Sequence, residues 1–141
     1  SYTASANITG VIPFDDTPPQ ITEGTEIISV SFTPKSTTNK LRIRFTGYGS
    51  QSVAAHLIAA IFNGATDALV TAAVYQPAQD NESCIVAEAE YTPGTVSPQT
   101  ISVRVGTNTG SGATIRMNGY SGSRKFGGTS KCTLVVEEIK A

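Results

Sequence analysis

Residues 12–26, IPFDDTPPQITEGTE, hold four carboxylates, Asp15, Asp16, Glu23 and Glu26. A general acid and base pair needs two carboxylates that converge on one substrate, but adjacent residues of an extended chain point to opposite faces. A calcium loop needs oxygen ligands at alternating positions and a glycine turn, and DDTPPQ interrupts that pattern with two prolines. Asp bonds nearby backbone N–H groups and Pro fixes φ. We therefore interpret the stretch as a turn-forming entry to the fold.

Other chemistry rests on few residues. His56 is the only histidine, and no Ser or Cys stands in a GxSxG or Cys-His pattern beside it. In its Ala-rich surroundings we expect His56 to be a packed or interface residue. Glu82, Glu88 and Glu90 belong to a predicted half-buried strand and are interpreted as solvated charges. The sequence therefore predicts no enzyme, no catalytic residue, no metal and no cofactor.

Binding residues are better represented. Tyr48 and Tyr120 occur in the Gly- and Ser-rich stretches TGYGSQS and NGYSGSR, and Arg124 and Lys125 follow Tyr120 closely. Sugar rings stack their apolar C–H faces on Tyr, while hydroxyl and phosphate groups suit Arg. We predict that these four residues bind a glycan. The alternative is that they cap one end of the fold or pack at a subunit interface.

The elements that position these residues are strands. In KLRIRFTGY, apolar Leu41, Ile43 and Phe45 alternate with polar side chains, which is typical of a sheet with one buried face. Similar runs occur throughout the 141 residues, so we predict one all-β domain, an antiparallel β-sandwich or jelly roll of about nine short strands. The nine runs are ANITGVIP, EIISVSFTP, KLRIRFTGY, VAAHLIAAIF, TDALVTAAVYQ, ESCIVAEAEY, QTISVRVGT, ATIRMNG and KCTLVVEEI.

One run and several turns carry more specific expectations. VAAHLIAAIF is interpreted as a strand, although its alanines would suit a helix. Because it is apolar on both faces, we expect the core on one side and neighbouring subunits on the other. The pair Asn63–Gly64 predicts a type I′ hairpin, and Asn118–Gly119 predicts a similar turn. The seven glycines of residues 106–130 predict loops around a single strand, ATIRMN.

Charge and cysteine content exclude some classes of partner. The formal net charge is −1 and the longest apolar run is ten residues, so we expect neither nucleic-acid binding nor membrane insertion. Cys84 and Cys132 lie in strand-like stretches. They are interpreted as two small buried hydrophobic residues or, alternatively, as one disulfide between neighbouring strands.

The two ends of the sequence resemble a known family. The run IPFDDTPPQITEGTEIISVSFTPKSTTNKLRI and the closing SGSRKFGGTSKCTLVVEEIKA resemble the C-terminal domains of bacteriophage tail fibres and tailspikes, in which an I-P-x-D-D-T-x-P-Q-x-T-E-G segment opens a small β domain. The resemblance covers roughly half of the chain and excludes the middle, from Gly47 to about Asn118. Pro18 departs from the Ile that the family pattern has there.

The resemblance implies a jelly roll similar to the tumour necrosis factor fold, assembled as a homotrimer at the distal tip of a fibre or spike in the virion. It also implies recognition of a bacterial cell-surface polysaccharide or lipopolysaccharide, together with a role in trimer stability. The alternative is a purely structural trimerisation or capping module without its own ligand. Because the chain opens without Met, we expect it to be the C-terminal part of a longer polypeptide, whose upstream domains would carry any polysaccharide-degrading activity.

Overall fold

The computed structural model describes residues 1–3, 7–110 and 112–141, and it confirms the all-β class. Within those residues no helix is long and apolar enough to cross a membrane. A 3₁₀ turn occupies Phe126–Gly128. The strands are β1 (Thr25–Phe32), β2 (Lys40–Gln51), β3 (Ala55–Phe62), β4 (Val70–Gln76), β5 (Glu82–Tyr91), β6 (Gln99–Thr107), β7 (Ile115–Met117), β8 (Gly119–Tyr120), β9 (Ser123–Arg124) and β10 (Thr133–Ile139).

Two antiparallel sheets form a sandwich. One sheet has the order β1-β6-β3-β4, and the other has the order β10-β2-β5, with β7 pairing with the part of β2 that β10 leaves open. Short bridges join Tyr2 to Cys132 and Ile8 to Ile115, so the first residues lie beside β10 and β7. With this N-terminal segment taken as the first element, the order of the two sheets is that of a jelly roll.

Strand β2 shows how the sequence pattern determines the layers. Leu41, Ile43 and Phe45 are fully buried between the sheets, as their alternation predicts. Arg42 and Arg44 point outward, where Arg42 pairs with Glu90 on β5 at 2.6 Å. The buried face of β2 therefore supplies the centre of the core, and its outer face carries an exposed ladder of charges.

The first predicted strand, ANITGVIP, is not a continuous strand. In its described part the chain makes isolated bridges, from Ile8 to Ile115 and from Val11 to Thr107, because it passes from one sheet to the other within a few residues. The other eight predicted runs each contain a strand. The short hairpin of β8 and β9 was not predicted, since two-residue strands carry no periodicity.

Strand β3 is buried on both faces, as its composition predicts, but the cover on its outer face is different from the one expected. Leu57, Ala59 and Ile61 belong to the core between the sheets. Ile58, Ala60 and Phe62 form a second cluster that includes Ile12 and has Ile21 packed against it. The chain's own residues 12–21 therefore cover this face, and the prediction that neighbouring subunits do so was wrong.

Two predicted turns differ from the structure. At Asn63–Gly64 only Gly64 has a positive φ, of 87°, and a longer loop joins β3 to β4, so this is not a type I′ turn. After β7, Asn118 has a φ of 59° and Gly119 already begins β8. The two-residue turn with positive φ at both positions falls at Ser121 and Gly122, with φ of 46° and 81°.

The two cysteines do not pair. Cys132 is buried, as predicted, whereas Cys84 is exposed on the outer face of β5, and both are free thiols. Their side chains lie on opposite faces of the β10-β2-β5 sheet. Both the disulfide and the prediction of a buried Cys84 were therefore wrong.

Candidate functional site

A short hairpin lies between strands β7 and β10. Strands β8 and β9 pair Gly119 with Arg124 and Tyr120 with Ser123, and the 3₁₀ turn follows at once. We call residues 119–128 the tip hairpin. Three of the four predicted binding residues, Tyr120, Arg124 and Lys125, belong to this hairpin.

The side chains of the tip hairpin combine aromatic rings with cations. Tyr120 is 40% exposed, and the Nζ atom of Lys125 lies 5.6 Å from the centroid of its ring, within the range of a cation–π contact. Arg124 is exposed and passes over Gly128, where a Cβ atom would stand 3.2 Å from its Nη1. Phe126, not predicted as a site residue, is 73% exposed with a φ of 55°. Two aromatic rings and two cations thus share this hairpin.

The base of the tip hairpin is anchored in the sandwich by Asn118, which is fully buried. The Asn118 N–H donates to the carbonyl oxygen of Tyr48 at 2.8 Å, and its Nδ2 donates to the carbonyl oxygen of Tyr2 at 2.8 Å. Ser50 Oγ donates to the carbonyl oxygen of Gly119 at 3.1 Å. The exposed residues therefore stand on a fixed base, which lowers the entropic cost of ordering them on a ligand.

Tyr48 occupies a different position from the one predicted. It lies within strand β2 and not in a loop, and its hydroxyl group donates a hydrogen bond to Glu82 on β5. Burial and the hydrogen bond to Glu82 raise the pKa of Tyr48 to about 12. Its backbone carbonyl oxygen accepts the hydrogen bond from the Asn118 N–H, but its side chain is hydrogen-bonded to Glu82 within the sheet. Tyr48 is therefore a supporting residue in this structure.

The acidic stretch forms turns, as its composition predicts. The Oδ1 atom of Asp15 accepts from the Thr17 N–H at 2.9 Å and from the Thr17 hydroxyl at 2.6 Å, and these bonds lower the pKa of Asp15. Glu23 accepts from the Gln20 N–H at 2.9 Å. Among residues 1–3, 7–110 and 112–141, no group of three His, Cys, Asp or Glu could hold a metal ion.

One aromatic cluster was not predicted from the sequence. The rings of Phe14 and His56 stack with centroids 4.1 Å apart and planes inclined by 17°, and the His56 ring lies 5.1 Å from that of Tyr75. His56 is packed in this row, which agrees with its predicted role. The three residues come from distant parts of the chain, and only the pairing of β3 with β4 sets His56 beside Tyr75.

Chemically, the tip hairpin can stack on an apolar ring face and donate charged hydrogen bonds to hydroxyl or phosphate oxygens. A scan against protein-family models and a search of the curated proteins found no match to this chain.

Proposed function

We propose that this domain is the distal receptor-binding head of a bacteriophage tail fibre or tailspike, that it binds a glycan on the bacterial surface, and that it forms a homotrimer in the virion. One observation carries the binding part of the proposal. Tyr120, Phe126, Arg124 and Lys125 lie together on an exposed hairpin with a buried anchor.

The chemistry of the tip hairpin suits surface polysaccharides and lipopolysaccharides. A sugar ring placed on Tyr120 or Phe126 buries its C–H face, while Arg124 reaches hydroxyl, carboxylate or phosphate groups on the same chain of sugars. Lys125 already lies over Tyr120 and makes the local potential more positive. Such a site favours anionic glycans over neutral ones, and its affinity falls as salt rises.

The trimer is supported by the family resemblance alone, since the outer face of β3 is covered by the chain itself. Three weak sites on one rigid tip could raise the apparent affinity by ~10²-fold or more when the receptor repeats at a reachable spacing. Sedimentation equilibrium of the purified domain tests this part directly. A monomer at micromolar concentration would contradict it without affecting the assignment of the hairpin.

The test of the binding site pairs affinity with stability. We expect Tyr120→Ala and Arg124→Ala to reduce binding to a panel of immobilised lipopolysaccharides and capsular polysaccharides, with no change in melting temperature, because both side chains are exposed. Lys40→Ala is the matched control, since it removes an exposed cation from the opposite end of β2.

Three outcomes separate the alternatives. Binding lost only in the hairpin variants supports the proposal. Binding that persists in both variants removes the tip hairpin as the site. A wild-type domain that binds no member of the panel and no intact bacterium, while its deletion abolishes fibre assembly, favours the structural module.

A further inference from the structure

A second surface carries exposed aromatic rings, on the outer face of the β1-β6-β3-β4 sheet. Phe14 is 61% exposed and Tyr75 is 56% exposed, and His56 lies between them. Ile12 and Ile21 of the same N-terminal segment already cover β3, and Ile12 is buried there. The rings of Phe14 and Tyr75 are therefore not needed to cover β3, yet both lie at the surface of this sheet.

A groove of about 220 Å³ adjoins this aromatic row. Its floor is formed by Ile58 and Ala73 on the paired strands β3 and β4, and Phe14 with the two following turns forms its wall. Thr71 lies at the other end of the floor, on the same outward face of β4 as Ala73 and Tyr75. We call this the β4 groove. It has an apolar floor, one aromatic ring in its wall and threonine hydroxyl groups in its lining.

The rim is held in a fixed shape. The Asp15 carboxylate accepts both of its hydrogen bonds from Thr17 on Oδ1, which orients the group and keeps Oδ2 for an outside donor. Pro18 and Pro19 restrict the backbone that follows. The Pro19 carbonyl oxygen accepts from the Ala68 N–H at 2.9 Å, which ties the wall to the loop before β4. Little ordering of the groove is needed before a ligand can bind.

We propose that the β4 groove binds one sugar unit of a glycan, with the C–H face of the ring on Phe14 and its hydroxyl groups directed at Asp15 and Thr71. The groove is smaller than the ~300–1,000 Å³ typical of sites for drug-sized ligands, which suits a single ring. A hydroxyl-rich ligand matches the carboxylate, whereas an extended peptide needs a longer groove. This inference rests on the proposed function only for the class of ligand, because the residues are separate.

The β4 groove and the tip hairpin belong to different sheets. The floor of the groove is formed by β3 and β4, whereas the base of the tip hairpin is bonded to Ser50 of β2 in the other sheet. The two candidate sites share no residue, so each can be tested separately.

The experiment follows backbone amide resonances of the domain while galactose, glucose, N-acetylglucosamine or rhamnose is added at millimolar concentration. We expect at least one sugar to shift amides of residues 14–17 and 71–75. Phe14→Ala should weaken binding of that sugar about tenfold, because the variant loses the aromatic stacking face of the groove. Asp15→Asn, which keeps an oxygen acceptor for the turn, should weaken binding of the sugar less. Tyr120→Ala should leave this binding unchanged.

Each result decides between the two sites. Shifts confined to the tip hairpin, or shifts in the groove that survive Phe14→Ala, would overturn the β4 groove and leave the proposed function standing. Shifts in the groove without any polysaccharide binding by the tip hairpin would support the β4 groove and contradict the tip hairpin as a binding site. A decaproline peptide that binds the groove while every sugar is silent would also overturn the inference. Thr71→Val serves as a second variant, because valine has nearly the same shape as threonine and lacks its hydroxyl group.

Discussion

Arg104 donates from Nε to the carbonyl oxygen of Glu23 at 2.6 Å, and its Nη2 donates to that of Gly24 at 3.0 Å. Its side chain is only 18% exposed, and Glu26 lies 3.8 Å from its Nη1. One guanidinium on β6 therefore holds the turn at which the N-terminal segment enters β1.

Replacing that guanidinium should loosen the N-terminal segment. We expect Arg104→Lys to lower the free energy of unfolding by about 1–3 kcal/mol, because lysine lacks the rigid fork of Nε and Nη2 donors that reaches both carbonyl oxygens. Urea denaturation measures the change. Arg44→Lys is the control, since the exposed pair of Arg44 with Glu88, at 3.9 Å, should contribute little. Equal losses in the two variants would contradict the role of Arg104.

Close packing over Gly106 gives a second prediction. A Cβ atom at Gly106 would stand 2.6 Å from Cγ1 of Ile12 and 2.9 Å from its backbone nitrogen, so Gly106→Ala must displace the covering segment. We expect a loss of about 1–3 kcal/mol in unfolding free energy. A Cβ atom at Gly110 would meet no atom of the described chain within 4 Å, so Gly110→Ala is the matched control. Unchanged stability in Gly106→Ala would mean that residues 12–21 cover β3 only loosely.

The two thiols should differ in reactivity. Cys84 is exposed, whereas burial raises the pKa of Cys132 to about 11, and the Cys132 thiol donates to Asn118 Oδ1 at 3.5 Å. At pH 8 we expect one thiol of the native protein to react quickly with a disulfide reagent and the other to react only after unfolding. Cys84→Ser should abolish the fast phase and Cys132→Ser should retain it. A fast phase that survives Cys84→Ser would contradict the burial of Cys132.

Glu138 should give the stability a dependence on acid pH. Partial burial opposes its ionisation, but bonds from Asn39 Nδ2 and from the N–H groups of Lys35 and Ser36, with the charge of Lys35, lower its pKa. Its contribution is therefore fully present above the pKa of the unfolded chain and is lost as pH falls through the lower pKa of the folded state. Glu138→Gln should flatten this acid limb in urea midpoints measured from pH 7 to pH 3.

A control is needed because other carboxylates titrate in the same range. Asp16 is exposed in the turn of the acidic stretch, so Asp16→Asn removes a comparable charge without those three donors. We expect its acid limb to match that of the wild type. If Asp16→Asn and Glu138→Gln flatten the limb equally, general charge repulsion and not the Glu138 contacts sets the pH dependence.

The sequence predicted the parts of the fold that depend on local pattern. The alternation in β2 and the doubly apolar run of β3 predicted a strand in each case, because side-chain direction alone produces those patterns. The cover on β3 could not be predicted, since Ile12 and Ile21 reach it by a path that only tertiary packing determines. The hairpin turn at Ser121 and Gly122 was missed because Asn118–Gly119 carries the stronger turn signal.

The residues of the candidate sites were also predicted only where they carry a local sequence signal. Tyr120, Arg124 and Lys125 were predicted because they are close in sequence, and a hairpin keeps such residues together. Tyr48 was assigned to a loop because glycines flank it, yet at Gly47 and Gly49 a Cβ atom would approach the side chain of Met117 within 2.8 and 3.0 Å. These glycines make room for close packing inside a strand. The row of Phe14, His56 and Tyr75 has no local signal at all.

The pairing of the first residues with the last part of the chain has a consequence for folding during synthesis. Tyr2 and Cys132 exchange two backbone hydrogen bonds, each 3.0 Å long, and Ile8 and Ile115 exchange two more. The Tyr2–Cys132 pair cannot form until residue 132 has left the ribosome, roughly 10 s after residue 2 at typical rates of ~5–20 residues per second. Throughout that interval the core lacks the cover of Tyr2, Leu134 and Val136. The nascent chain therefore exposes apolar surface that favours aggregation until the sandwich closes.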